Sequence, residues 1–195
     1  MSRLGILGGS FDPIHVGHLR LGIEAMERLG LDRLVFEVAA VSPLKDASDV
    51  SDGSLRAEMV DAAIHGIAGA EVGMQELRRE GPSYTVDTLE AYDGQADEIL
   101  LVVGSDALAS FDRWKNPEGI LKRAKLAVTG RPGYGVSEAM RHLPEDWRRR
   151  IEVFDAQPID LSATEIRAKV RAGLSIRFLT PDPVVQIISE RRLYV

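Results

Sequence analysis

No cysteine occurs in the 195 residues, which excludes disulfides, thiolate metal sites and cysteine nucleophiles. No run approaches the roughly 18 apolar residues that a membrane-spanning helix needs. Positive charge is also short: 24 Lys and Arg against 30 Asp and Glu give a formal net charge of -6. A broad nucleic-acid surface needs clustered positive charge, so neither nucleic acid nor a membrane is an expected partner. A small anionic ligand stays open, because local cations in a cleft decide its binding.

What is present fits a globular chain. Apolar residues make up 45% and charged residues 28%, the balance of a protein with a real core. The length suits one compact domain over residues 1–195. The chain enters a strand-like run at once, with no secretory pattern, so a cytoplasmic protein is expected. Oligomeric state is not readable, and a homo-oligomer stays open.

Along the chain, strand patterns alternate with helical ones. Strands are expected at Arg3–Leu7, Leu34–Val38, Ala70–Gly73, Glu98–Val103, Leu126–Thr129 and Ile151–Phe154. Between them, His15–Leu29 has a helical stripe of Leu19, Ile23 and Met26, and Ser54–Ile67 and Tyr84–Tyr92 also read as helices. Shorter helical stretches are expected at Asp106–Phe111 and Glu118–Arg123, with a longer one near Val136–Arg150. Helices near Ala163–Ala172 and Pro183–Glu190 close the chain. The alternation predicts an α/β fold, a Rossmann-like doubly wound parallel sheet with C-terminal helices. Such sheets bind ligands at the C-terminal ends of their strands. The acidic, polar loop Lys45–Gly53 is the segment expected to move most.

The strongest signal is Gly8-Gly9-Ser10-Phe11-Asp12-Pro13-Ile14-His15-Val16-Gly17-His18. Two glycines after the first strand let the backbone approach a ligand closely, and Pro13 fixes the turn. His15 and His18, three apart at a helix entry, project from one face of its first turn. A helix N-terminus with two imidazoles suits phosphate. The glycine spacing does not fit a dinucleotide fingerprint. A zinc site lacks a third ligand, since only His65 and His142 remain, so no metal ligands are assigned. The plain alternative is a tight turn with incidental histidines.

This motif resembles the [H/T]-x-G-H signature of the nucleotidylyltransferase superfamily. Its longer form resembles G-G-[ST]-F-D-P-x-H-x-G-H of the bacterial nicotinate-nucleotide adenylyltransferase family. Ser162-Ala163-Thr164-Glu165-Ile166-Arg167 is similar to the family's I-S-[SA]-T-x-[IL]-R segment, whose hydroxyls and Arg bind the triphosphate of ATP. Ser162 and Glu165 also fit a capping box, which leaves Thr164 and Arg167 unexplained. Gly104-Ser105-Asp106 after the fourth strand resembles the family's G-x-D, with Trp114 matching the Trp that follows. An acid there suits ribose hydroxyls, although a helix cap at Ser105 or Asp106 explains the spacing nearly as well. Ser83-Tyr84-Thr85-Val86-Asp87-Thr88-Leu89 resembles the segment that holds the mononucleotide; the plain alternative is a Ser-capped helix.

Ser42-Pro43-Leu44-Lys45 aligns with a family loop often written P-P-H-K, keeping Lys45 but carrying Leu44 in place of the histidine. Gly130-Arg131-Pro132-Gly133 matches the family's R-P-G, while Arg148-Arg149-Arg150 has no such match and reads as a solvated face. Arg191-Arg192-Leu193-Tyr194 resembles the closing segment. The resemblance thus runs from Arg3 to Tyr194 in the family's order.

It implies transfer of the adenylyl group of ATP to nicotinate mononucleotide, with Mg²⁺ arriving on ATP. His15, His18, Arg167 and Lys45 are the implied catalytic residues. Gly8, Gly9, Ser10, Phe11, Gly104, Asp106, Ser162, Thr164 and Arg167 would hold ATP. Lys45, Tyr84, Thr85, Trp114 and Arg131 would hold the mononucleotide. The alternatives are the same chemistry on nicotinamide mononucleotide, phosphopantetheine or a phosphorylated alcohol, or a nucleotide-sensing module without catalysis. A redox Rossmann protein is a weaker rival.

Overall fold

The computed structural model describes residues 1–40, 50–79, 81, 83–130, 135–157 and 159–195. The strands are β1 (Arg3–Gly9), β2 (Arg33–Val38), β3 (Ala70–Gly73), β4 (Glu98–Gly104), β5 (Lys125–Thr129) and β6 (Ile151–Val153). They form one six-stranded parallel sheet in the order β3-β2-β1-β4-β5-β6. The expected fold class is therefore present, and the order reverses beside β1 in the doubly wound manner. Arg3 to Ile6 pair with Glu98 to Leu101, which places β4 next to β1.

The described helices are α1 (Val16–Leu29), α2 (Gly53–Ile64), α3 (Thr85–Glu90), α4 (Ser105–Leu108), α5 (Pro117–Arg123), α6 (Val136–Ala139), α7 (Glu145–Arg148), α8 (Ala163–Arg171) and α9 (Asp182–Glu190). A 3-10 turn at Phe111–Arg113 lies between α4 and α5. The single helical stretch expected over Val136–Arg150 is in fact two short helices. Pro144 lies between them and lacks the N–H that a continuous helix requires. Ser54 does not start α2. Asp52 caps it, its carboxylate accepting from the Ser54 N–H at 2.8 Å, as a short charged acceptor does well. In α1 the fully buried positions are Gly22, Ala25 and Leu29, while Leu19, Ile23 and Met26 are only half-buried. Small residues vanish where a helix backbone packs closely, whereas larger neighbours keep an exposed edge.

The chain packs as two compact units, each assembled from separate segments. The first comprises Met1–Leu7, Gly22–Val35 and Tyr84–Pro158. Its core gathers Leu4 and Ile6 of β1, Leu101 of β4, Leu126 and Val128 of β5, and Leu89, Leu108 and Ile120 from the helices. Leu4, Ile6, Leu101 and Val128 are apolar and branched, as strands covered on both faces require. At the strand starts, Arg3 donates to Glu98 at 2.8 Å and Glu152 at 2.7 Å, and its backbone N–H to Asp32. Lys125 pairs with Glu98 as well. These ion pairs hold the N-terminal ends of β1, β4 and β6 together.

The second unit comprises Gly8–Leu21, Phe36–Ser83 and Ile159–Val195. Phe11, Phe36, Ile14, Met59 and Val184 are buried in it, and α2 packs on both β3 and α9. Arg148 and Arg149 are exposed as expected, with Arg149 paired to Glu145. Arg150 departs from that reading: it is half-buried and donates to the Leu121 carbonyl at 3.0 Å.

Candidate active site

The second unit holds the histidine motif. β1 ends in Gly8-Gly9, and Phe11 turns the chain with a φ of +46°. A Cβ on Gly9 would lie 2.8 Å from the Phe11 ring, so this position must be glycine for the ring to fold back. The ring is buried against Phe36 and meets His18 edge-on, with 5.0 Å between centroids. Phe11's side chain therefore serves packing, which leaves its backbone to face any ligand.

His15 and His18 stack, their centroids 3.7 Å apart and their planes 24° from parallel. The His15 carbonyl accepts the His18 and Leu19 N–H groups, which makes His15 the residue that opens α1. His15's own N–H donates to Nδ1 of His18 at 3.3 Å. An accepting Nδ1 puts the proton of the neutral ring on Nε2, which makes Nε2 its donor. Gly17 explains the spacing between the histidines: a Cβ there would sit 3.0 Å from His15 Nδ1 and 3.1 Å from its Cε1.

Ser162 caps α8 and accepts from the Glu165 N–H at 3.1 Å, so one arm of the expected capping box is present. The two residues the cap left over are joined. Arg167 donates from Nη2 to Thr164 Oγ1 at 3.3 Å, and from Nη1 to the Asp12 carbonyl at 2.7 Å. Thus His15, His18, Ser10, Thr164 and Arg167 gather around one turn of one unit.

Sequence reasoning assigned no role to Arg56. It is 2% exposed and donates to three carbonyls: Ser51 at 2.8 Å, Ser10 at 2.7 Å and Ala40 at 3.3 Å. Burial pushes its guanidinium below the ordinary arginine range, and the charges of Asp12, Asp52 and Glu76 partly offset that. The helical position of Arg56 gives no hint of this, since an Arg on an amphipathic helix ordinarily faces water. A second buried acid contact links Glu37 of β2 to the Glu76 N–H at 2.9 Å.

The first unit holds Gly104 and Asp106, expected to bind ATP, and Tyr84, Thr85 and Trp114, expected around the mononucleotide. A Cβ on Gly104 would lie 2.6 Å from Asp106 Oδ1, so the carboxylate folds back over the glycine. Neither Ser105 nor Asp106 caps α4; both lie inside it and Gly104 occupies the cap position. Tyr84, rather than Ser83, precedes α3, and the Ser83 hydroxyl instead accepts the Ala40 N–H at 3.2 Å. Lys115 lies 4.1 Å from the centre of the Tyr84 ring and pairs with Asp87 at 3.1 Å, a cluster no motif announced. Trp114 leans on Phe111, 5.4 Å between centroids, and is half-buried at the edge of the core. Lys45, Leu44 and Arg131 lie outside the described residues.

The cytidylyltransferase-like family matches residues 6–169 of the chain. A protein of Rhodopirellula baltica named "Probable nicotinate-nucleotide adenylyltransferase" is 39% identical, covering 98% of this chain and 92% of its own. One of the same name from Herpetosiphon aurantiacus is 38% identical, covering both chains completely. Among solved structures, the nicotinic acid mononucleotide adenylyltransferase of Plasmodium falciparum shares the fold. Its complex with APC superposes with a TM-score of 0.75 at 14% identity, covering 100% of this chain and 98% of that one. Its complex with NaAD gives a TM-score of 0.74 at 15% identity and the same coverage. Identity at this level, over nearly the full length of both chains, makes the chain a member of the nicotinate-nucleotide adenylyltransferase family.

Proposed function

We propose that the protein transfers the adenylyl group of ATP to nicotinate mononucleotide, releasing pyrophosphate and giving nicotinate adenine dinucleotide. The observation that carries this is the stacked His15–His18 pair at the mouth of α1, on the same turn that anchors Arg167. Imidazole N–H groups and a planar guanidinium are donors matched to phosphate oxygens.

In this reading the mononucleotide phosphate attacks the α-phosphorus of ATP in line, and the bond to the β-phosphate oxygen breaks. A phosphate monoester has a second pKa of about 6, so the nucleophile needs little deprotonation at neutral pH. Catalysis is then positioning plus stabilisation of developing charge, as in phosphoryl transfer. His18, donating from Nε2, stands nearest the leaving pyrophosphate. His15 and the backbone of Gly8 to Phe11 cradle the phosphates, while Ser162, Thr164 and Arg167 take the β and γ groups. Gly104 and Asp106 receive the adenosine moiety. Tyr84, Thr85 and Trp114 hold the mononucleotide, with Lys45 and Arg131 screening its charge.

Mg²⁺ belongs to the substrate here, held by ATP oxygens and waters. Among the described residues no three His, Asp or Glu groups converge to hold a metal. One catalytic domain working in the cytoplasm completes the proposal.

The test is pyrophosphate release from ATP and Mg²⁺, with nicotinate and nicotinamide mononucleotides in parallel. Faster turnover with the acid is expected, and comparable rates mean dual specificity. Silence with both acceptors, from protein that still binds ATP, sinks the proposal in favour of another acceptor or a sensing role.

A further inference from the structure

Asp12 is where the histidine turn and the Arg167 segment meet. Its backbone carbonyl accepts Arg167 Nη1, and its carboxylate, on a residue 2% exposed, is used at both oxygens. Oδ2 accepts the Ser51 N–H at 3.2 Å, and Oδ1 accepts the Tyr194 hydroxyl at 2.6 Å. On either side the turn is held by further distant groups. Arg56 grips the Ser10 carbonyl, Thr180 donates to the Ile14 carbonyl at 2.7 Å, and the Val16 N–H donates to Leu179. His15 lies three residues beyond Asp12 on the same turn, and the guanidinium of Arg167 rests on the Asp12 carbonyl.

We propose that Tyr194 is a positioning residue for adenylyl transfer: its hydroxyl fixes the Asp12 carboxylate and so sets Arg167 relative to His15 and His18. The inference rests on the proposed function and deepens it, since it makes the C-terminal tail part of the site's framework. Three features support it. A hydroxyl-to-carboxylate bond is charge-assisted, and strong where water is excluded. Burial, and then the bond to Asp12, push the Tyr194 hydroxyl above the ordinary tyrosine range, so it stays a protonated donor. Arg192 and Tyr194 both hold positive φ, +50° and +65°, a cost that persists only where surrounding contacts impose it.

The experiment compares the full chain with Tyr194→Phe, which removes one oxygen and keeps the ring. Rates with ATP, Mg²⁺ and nicotinate mononucleotide are referred to the fraction folded by circular dichroism at the assay temperature. Nitrogen resonances of the four imidazoles are recorded in parallel. The expected result is a roughly tenfold loss of kcat, with both KM values within about twofold and a displaced His18 resonance, because a small misplacement costs turnover more than binding. Arg191→Ala, which loosens the same tail at its exposed pair with Glu58, leaves kcat within about twofold.

Wild-type kcat in Tyr194→Phe, or a kcat loss without movement of the histidine signals, overturns the proposal. So does an equal loss in Arg191→Ala, since tail attachment alone would then explain the effect. Absence of any turnover in the unmodified chain sinks the adenylyl-transfer reading instead, and the histidine resonances still test the coupling through Asp12.

Discussion

The imidazoles of His15 and His18 are stacked 3.7 Å apart, and the His15 backbone N–H holds His18 by its Nδ1. The backbone that begins α1 therefore also chooses which nitrogen of His18 carries the proton. If that Nε2–H stabilises the leaving pyrophosphate, His18→Ala lowers kcat by roughly 10²-fold or more, the scale for removing a preorganised donor. KM for ATP changes far less. Steady-state kinetics on folded variant decide it, and unchanged turnover removes His18 from the mechanism.

Gly17→Ala tests the same pair without touching either ring. The new methyl would sit 3.0 Å from His15 Nδ1, so the imidazole must give way. kcat is expected to fall roughly tenfold, since displacements well under an ångström at a reacting centre are costly. The melting temperature should move little, because alanine suits a helix better than glycine. An unchanged kcat means that the placement of His15 is not critical.

Trp114→Ala should raise KM for the mononucleotide roughly three- to tenfold, the worth of one aromatic contact, with kcat less affected. Trp114→Phe should restore most of the affinity. Because Trp114 also leans on Phe111, the alanine variant is expected to melt earlier too. A wild-type KM would reduce Trp114 to a packing role.

Arg56→Met should destabilise the fold by about 3–5 kcal/mol, the scale for breaking a buried ionic cluster on one side. It leaves the Ser10, Ala40 and Ser51 carbonyls without this donor and the nearby carboxylates without their cation. Arg56→Lys keeps the charge but not the forked donor, and recovers only part of the loss. Urea unfolding measures both, and a cost under about 1 kcal/mol for Met would contradict the buried-cluster account.

Glu98 gives the protein an acid-sensitive contact. Lys125 first, and Arg3 as well, hold its carboxyl below the ordinary glutamate range. Its folded-state pKa thus lies below the unfolded value of about 4.3. The stabilisation is complete above that pH and disappears as pH falls through the folded-state value. Lys125→Met should accordingly lower stability at neutral pH and flatten its decline between about pH 5 and 3. Parallel declines in variant and parent would exclude Glu98 as a contributor.

The sequence by itself determined the elements and the family. Period-two and period-3.6 patterns are local, so all six strands and most helices were readable where apolar runs met glycine stops. The spacing of His15, Gly17 and His18 was also legible, because consecutive residues entering a helix must share a face. Breaks set by single residues were harder: Pro144 divided a stretch that its flanking residues made look continuous. Only the tertiary structure decided what surrounds the histidine turn. Tyr194 and Asp12 are 182 residues apart, and Arg56 reaches a carbonyl 46 residues away. No local period encodes such pairs. They exist because burying a carboxylate, a guanidinium and the carbonyls of a turn requires each to find a partner, and folding brings those partners from distant parts of the chain.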